Sequence, residues 1–271
     1  GRFRGGIVPA ARVGASDKMG GFSPEEKQHS KQNRPVMSLF QLRQTVLLLI
    51  TATIWGLSFV AQSVGMDHVG PFTFTASRMF LGALVLLPFV LWNRSRLAAS
   101  NPAEHVRRTS PAYMKMLLLG GAACGLCLFG GESLQQFGLV HDTEVGKAGF
   151  ITALYIVMTP LLAFLILRRR VTMNVIVSVA IAVVGFYLLC ITDGFGSITL
   201  ADVVLLSTAV LFAGHILVID TFGQKMDPIL LSFGQISTTA LLSWIGSLCE
   251  GSIDWAGAMQ SWFPIVYAGI G

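Results

Sequence analysis

Two residues, Arg78 and Glu132, carry full charges inside otherwise apolar runs. Arg78 lies in PFTFTASRMFLGALVLLPFVLW and Glu132 in LCLFGGESLQQFGL. An ionisable group surrounded by hydrocarbon is costly, so it faces a protein interior, pairs with an opposite charge, or lines a substrate path. Arg78 sits seven residues past Pro71, about 10 Å into its run at the helical rise of about 1.5 Å per residue. That is too deep for its guanidinium to reach the near surface with ease. Two readings follow. One is a structural arginine tied to backbone carbonyls or a helix end. The other is a cavity charge that attracts an anionic or zwitterionic substrate or pairs with a carboxylate. Glu132 approaches the same end of the molecule and, with Gln135 and Gln136, makes a polar patch, so Arg78–Glu132 is the expected pair.

A second group of residues shares one helical face. Trp55, Ser58 and Gln62 are spaced i, i+3, i+7, and Trp55 is far from the interfacial belts where Trp is usually found. This face either lines a cavity or packs the bundle. His215 lies mid-run and would be suited to relaying protons near neutral pH; a hydrogen-bonded packing role is the plainer reading. Trp55, Ser58, Gln62, Arg78, Glu132, Gln135 and His215 thus form the candidate substrate-binding set. Lys147 is expected to snorkel from the edge of its run, and Asp220 to sit at an interface. Cys124 and Cys127 form a CxxC, but no His, Cys or carboxylate lies nearby to complete a metal or redox site, so they read as small packing residues. There is no GxSxG, HExxH or Walker A motif and no carboxylate pair at catalytic spacing. The expectation is a protein with no catalytic residues, no metal and no cofactor.

The elements that must hold these side chains follow from composition. Of 271 residues, 53% are hydrophobic and 12% charged, and mean hydropathy is +0.67. A soluble domain carries about 25% charged residues, so the solvent for this chain is lipid. Runs of the roughly 20 apolar residues needed to span a bilayer lie near 44–65, 71–92, 113–137, 145–167, 171–190, 199–222 and 228–249. An eighth starts at Trp262 and stops at Gly271. The fold class is all-α: a polytopic membrane helical bundle. Gly121 and Gly125 form a GxxxG suited to close helix packing within the bundle. Pro160 removes a backbone hydrogen bond and should kink the fourth span.

Part of the chain occurs twice. Moved forward by 157 positions, Val46, Leu48, Leu49, Thr51 and Ala52 fall on Val203, Leu205, Leu206, Thr208 and Ala209. Pro71 then falls on Pro228, and Ala83, Leu84 and Leu91 on Ala240, Leu241 and Leu248. Both copies read as span, short polar break, proline, span. The shift also places Phe212 at the Trp55 position and His215 at the Ser58 position. Five spans separate the start of one copy from the start of the other, and an odd number inverts the second relative to the first. Inverted repeats give a transporter two near-equivalent states.

Charge supplies the orientation. Residues 1–43 contain eight Lys and Arg, the 93–115 connection five, residues 168–170 three, and the 223–227 break one. All lie on one side of the membrane, whereas 66–70, 138–144, 191–198 and 250–261 contain none. Positive charge marks the cytoplasmic side, so the N-terminus is expected there. The basic residues are a topological signal, and nucleic-acid binding is not expected. The tail, 1–43, has a composition that does not fold alone; its first 36 residues read as translated upstream sequence or a disordered extension, with Met37 just before the first span. Asn93-Arg94-Ser95 matches a glycosylation acceptor but faces the cytoplasm on this topology.

Several stretches resemble a known family. ATIWGLSFVAQ, PFTFTASRMFLGALVLLP, SLQQFGL and above all GKAGFITALYIVMTPLLAFLILRRR are similar to the EamA-type branch of the drug/metabolite transporter superfamily, over about residues 44–271. The resemblance implies ten spans in two inverted five-span repeats around a central cavity, and export of small metabolites such as amino acids or related compounds. On that pattern 44–190 is the first repeat and 199–271 a C-terminally truncated second. The expected partners are a small-molecule substrate and the lipid bilayer of a cell membrane, bacterial by expectation. With no ATP-binding motif, a proton or ion gradient is the expected source of energy. The alternative is a non-transporting membrane scaffold or a membrane enzyme that reuses the fold. The inversion is directly checkable: single cysteines at Asp67 and Lys225, in a background without the native cysteines, should react with an impermeant thiol reagent from opposite faces of the bilayer. Reaction from the same face would remove the inversion.

Overall fold

In the computed structural model, residues 39–140, 144–190, 198–251 and 253–270 are described. The N-terminal tail up to residue 38 and most of the 191–198 connection lie outside them. Every described element is a helix: α1 (Leu39–Gly65), α2 (Pro71–Ser100), α3 (Pro102–Thr109), α4 (Pro111–Val140), α5 (Val145–Ala153), α6 (Tyr155–Leu167), α7 (Met173–Cys190), α8 (Leu200–Gly223), α9 (Pro228–Cys249), α10 (Trp255–Gln260) and α11 (Trp262–Ile270). Among the described residues, six stretches are long and apolar enough to cross a membrane: α1, α2, α4, α5 with α6, α8 and α9. The fifth run of the sequence, α7, is a shorter apolar helix. The chain divides between Leu49 and Ile50, and the packing described here is that within Ile50–Gly271.

Helix starts follow ordinary chemistry. Proline opens α2, α3 and α9, where its fixed φ suits the first turn and its missing N–H costs nothing. Asp227 caps α9 by accepting from the amides of Ile229 and Leu230 at 3.0 and 3.3 Å. Thr199 and Asp202 form a capping box at the start of α8. The 93–115 connection is mostly helical: α2 runs on to Ser100 and α3 fills much of the rest, so Asn93-Arg94-Ser95 lies inside a helix. The fourth span is divided in two. It stays helical through Pro160 and is interrupted at Leu154, six residues earlier. There the Leu154 amide reaches back only to Ile151 O, at 3.2 Å, a tightened turn that aims the next residue, Tyr155, inward.

The second helices of the two copies lie antiparallel. At one end Thr73 and Ser247 share a hydrogen bond of 2.5 Å; at the other, Asn93 Nδ2 donates to Asp227 at 3.2 Å. Pro71 and Pro228 therefore begin at opposite ends of the bundle. The end with Asn93 and Asp227 also holds Arg94, Arg108 and Lys225, and is called the basic end below.

Close crossings rest on small residues. A Cβ on Gly121 would stand 3.1 Å from Gly234 Cα, and one on Gly125 only 2.8 Å from the Gln235 carbonyl oxygen. This brings α4 and α9 nearly to backbone contact, the intrabundle role read for the GxxxG. A matching crossing joins α2 and α11, where a Cβ on Gly269 would lie 2.7 Å from the Arg78 carbonyl oxygen. Against α8, glycines of α4 form notches for larger side chains: Phe222 at Gly120, Phe212 at Gly131 and Leu205 at Gly138. Cys124 is wholly buried in an apolar cluster with Tyr113, Met226 and Leu231, consistent with the packing reading. Gly125→Val should therefore cost about 1–3 kcal/mol by overpacking and lower the melting temperature in detergent. Gly56→Ala, with nothing within 4 Å of the new methyl, should leave the melt unchanged.

Candidate functional site

Arg78 and Glu132 meet. Arg78 projects from α2 and Glu132 from α4; they are 6% and 8% exposed, and Arg78 Nη2 donates to Glu132 Oε2. Of the two readings of Arg78, the carboxylate pair is the one observed. Neither charge could stand alone here, because a buried ion must be paired or lose its charge. The glycine crossing explains part of the placement: α11 packs Gly269 directly on the Arg78 backbone, which leaves the side chain to run toward α4.

Glu132 also faces a cavity of about 200 Å³, lined with it by Trp55, Leu128, Tyr155, Phe212, His215 and Ile216. Three rings form its aromatic wall. Trp55 and Tyr155 meet edge to face at 5.6 Å, and Tyr155 and Phe212 at 6.4 Å. Such rings offer negative faces to a cation and apolar area to an aliphatic body. His215 Nε2 lies 2.9 Å from Gln235 Oε1. With Oε1 accepting, Nε2 carries the proton and Nδ1 is left as an acceptor.

The other expected residues are arranged behind this cavity. Gln136 Nε2 donates to Gln62 Oε1 at 2.7 Å, and Gln62 Nε2 to Ser58 Oγ at 3.4 Å. This buried relay links α4 to α1, so of the face read from the sequence only Trp55 reaches the cavity wall. Gln135 turns to Thr152 Oγ1 at 3.5 Å and, like Gln136, is not part of the cavity lining. Two buried polar atoms near the pair, Arg78 Nε and Gln136 Oε1, have no hydrogen-bond partner among the described residues.

Sequence reasoning missed Tyr155 and Gln235. Gln235 stands 157 positions after Arg78, so the repeat itself pointed to it. Tyr155 carried no spacing signal; the turn at Leu154 brings it in. Lys147 corrects another expectation. Rather than snorkelling, its Nζ donates to Asp202 at 2.7 Å, and Asp202 is only 1% exposed. A lysine beside a buried carboxylate gains more from pairing than from reaching water. Asp220, near the end of α8, accepts from Arg169 Nη2 at 2.6 Å in a largely exposed pair.

A polar network closes the basic end. Arg108 bridges Glu104 on its own helix and Asp227 at the start of α9, and the Asp227 amide donates to the Tyr113 hydroxyl at 3.0 Å. Hydrogen bonds from Arg107 and Arg108 hold the Glu104 carboxyl down to about 2. Burial pushes Asp227 up, but bonds from Arg108 and from the amides of Leu230 and Ile229 outweigh it, and the net shift is downward.

The described residues thus form a helical bundle in which a buried ion pair stands beside an aromatic-walled cavity. The EamA-like transporter family model matches residues 43–191, more than half of the chain, and the chain belongs to that family. It is 27% identical over 197 residues to an uncharacterized transporter of Archaeoglobus fulgidus, a match covering 72% of this chain and 55% of that protein. The chain thus spans about half the length of the curated relative it matches. No solved structure matches it.

The basic-end network makes a pH prediction. Because the Glu104 carboxyl is held below its ordinary value of 4.5, its contribution is complete above that pH and is lost as pH falls toward about 2. Melting temperature should fall across this window, and Glu104→Gln should flatten the fall; an unaltered slope would remove Glu104 from the network.

Proposed function

We propose that the chain is part of a secondary transporter that moves small polar or amphipathic metabolites outward across the cell membrane, with amino acids and related zwitterions the preferred class. The observation carrying this reading is the buried Arg78–Glu132 pair at the edge of an aromatic-walled cavity. A zwitterion can replace each half of an ion pair with its own opposite charge. Its carboxylate would take Arg78, including the unpartnered Nε. Its ammonium would take Glu132 and the ring faces of Trp55, Tyr155 and Phe212. Exchange of this kind keeps every buried charge compensated.

Residues 44–190 are read as the first repeat and 199–271 as part of the second, with the N-terminus in the cytoplasm. A contact made twice supports the inversion. Gly125 packs on the Gln235 carbonyl oxygen as Gly269 packs on that of Arg78, and Gln235 is the 157-position counterpart of Arg78. Thr239 Oγ1 donates to Gly125 O at 3.1 Å; Gly82, its counterpart, abuts Gly269 O, to which a Cβ would come within 3.0 Å. In this reading His215 and Gln235 are the second copy's contribution to the cavity, and Glu132 and His215 are the groups through which a proton gradient would couple. A scaffold or enzyme on the same fold calls for a sealed apolar interior or a catalytic group, and the polar cavity weighs against the first.

The test uses the full-length protein in proteoliposomes. Arg78→Ala should abolish substrate flux while leaving expression intact. Undiminished flux would remove Arg78 from the substrate path.

A further inference from the structure

A second cavity, of about 300 Å³, opens at the basic end, away from the Arg78–Glu132 site. Its walls come from the end of α2, from α3, from the start of α4 and from Leu230 of α9. Its lining combines aliphatic side chains, Val90, Leu91, Leu97 and Leu117 among them, with Arg94, His105 and Arg108. The lining thus joins the end of the apolar run of α2, at Val90 and Leu91, to the first charge past it, Arg94.

We infer that this cavity holds the headgroup of an anionic phospholipid, with the phosphodiester against Arg94, His105 and Arg108 and the first acyl methylenes along the aliphatic wall. The acids nearby are already committed. Both Glu104 oxygens accept from Arg107 or Arg108, and Asp227 caps α9 while accepting from Asn93 and Arg108. These bonds fix the Arg108 guanidinium at the rim without consuming the cavity's other charges. Arg94 makes no ion pair or hydrogen bond among the described residues and is free to close on a phosphate, for which a guanidinium fork is well shaped. Basic pockets between membrane helices at the cytoplasmic surface suit anionic headgroups, and the apolar wall favours a lipid over a soluble phosphate. The site does not depend on whether the chain transports.

The experiment compares the full chain with Arg94→Gln and Arg96→Gln variants in nanodiscs of phosphatidylcholine with graded phosphatidylglycerol. Retained lipid is measured by native mass spectrometry after extraction into detergent. Arg96 is the control because it lies on the same helix but stacks over Trp92, 5.5 Å from the ring centre, outside the cavity. Phosphatidylglycerol should be retained in preference to phosphatidylcholine, Arg94→Gln should weaken that retention about fivefold, and Arg96→Gln should leave it unchanged. Equal retention of the two lipids, no effect of Arg94→Gln, or equal loss in both variants would overturn the assignment. Displacement of the lipid by millimolar inorganic phosphate would also overturn it, in favour of a soluble phosphate ligand.

Discussion

The near contact of helix backbones at Gly125 and Gly269 is the constraint from which the rest of the arrangement follows. Lipid tails are as apolar as leucine, so burial of apolar area gives membrane helices little reason to associate; close packing and hydrogen bonds must do so. A side chain at either glycine would collide with a carbonyl oxygen less than 3 Å away. The two oxygens belong to Gln235 and Arg78. Each crossing thereby sets the backbone of a residue whose side chain ends in the polar interior: Arg78 on Glu132, Gln235 on His215. Packing and site are consequences of the same glycines.

Electrostatics then decides what the interior can contain. Arg78, Glu132 and Asp202 are each less than one-tenth exposed, and each charge has an opposite one beside it. Pairing does not make such ions a source of stability, since desolvation takes back most of the attraction. Neither Arg78 nor Glu132 can stay a buried charge once its partner is withdrawn, so a ligand that separates them would have to bring charges of its own. A ligand of that kind would be a zwitterion, the substrate class proposed above, with the cavity's aromatic rings offering faces to a cationic group or an apolar body.

Much of this was legible in the sequence, and what was not has a physical reason. Composition and run length showed the membrane bundle. The repeat showed that Pro71 and Pro228 start helices running in opposite directions, as the antiparallel contacts of Thr73 with Ser247 and Asn93 with Asp227 now describe. Arg78 and Glu132 stood out because charge inside an apolar run is costly. Less legible were residues whose roles depend on a turn or a rotation of a helix. Tyr155 reaches the cavity because the fourth span tightens at Leu154, a turn that no residue spacing in the sequence marks. Gln135 and Gln136 are neighbours in sequence, yet about 100° of helical rotation separates them, enough to send one to Thr152 and the other to Gln62. Lys147 looked like a surface lysine because its partner, Asp202, is 55 residues away and read only as part of a helix start.

The two ends of the bundle are tied by ion pairs of unequal kind. At the end opposite the basic one, Lys147 meets an Asp202 that is almost wholly buried and also completes the capping box of α8. Breaking that pair would strand a carboxylate out of reach of water. At the basic end, Arg169–Asp220 is largely exposed, with side chains 56% and 36% accessible, and Arg108–Asp227 is only partly enclosed. Exposed pairs cost little to separate, because water and salt replace the partner. Separating Arg169 from Asp220 thus trades an ion pair for hydration, whereas separating Lys147 from Asp202 leaves a buried carboxylate in need of a new partner. The fold holds its two ends with different strength, and the difference arises from how deeply one carboxylate is buried.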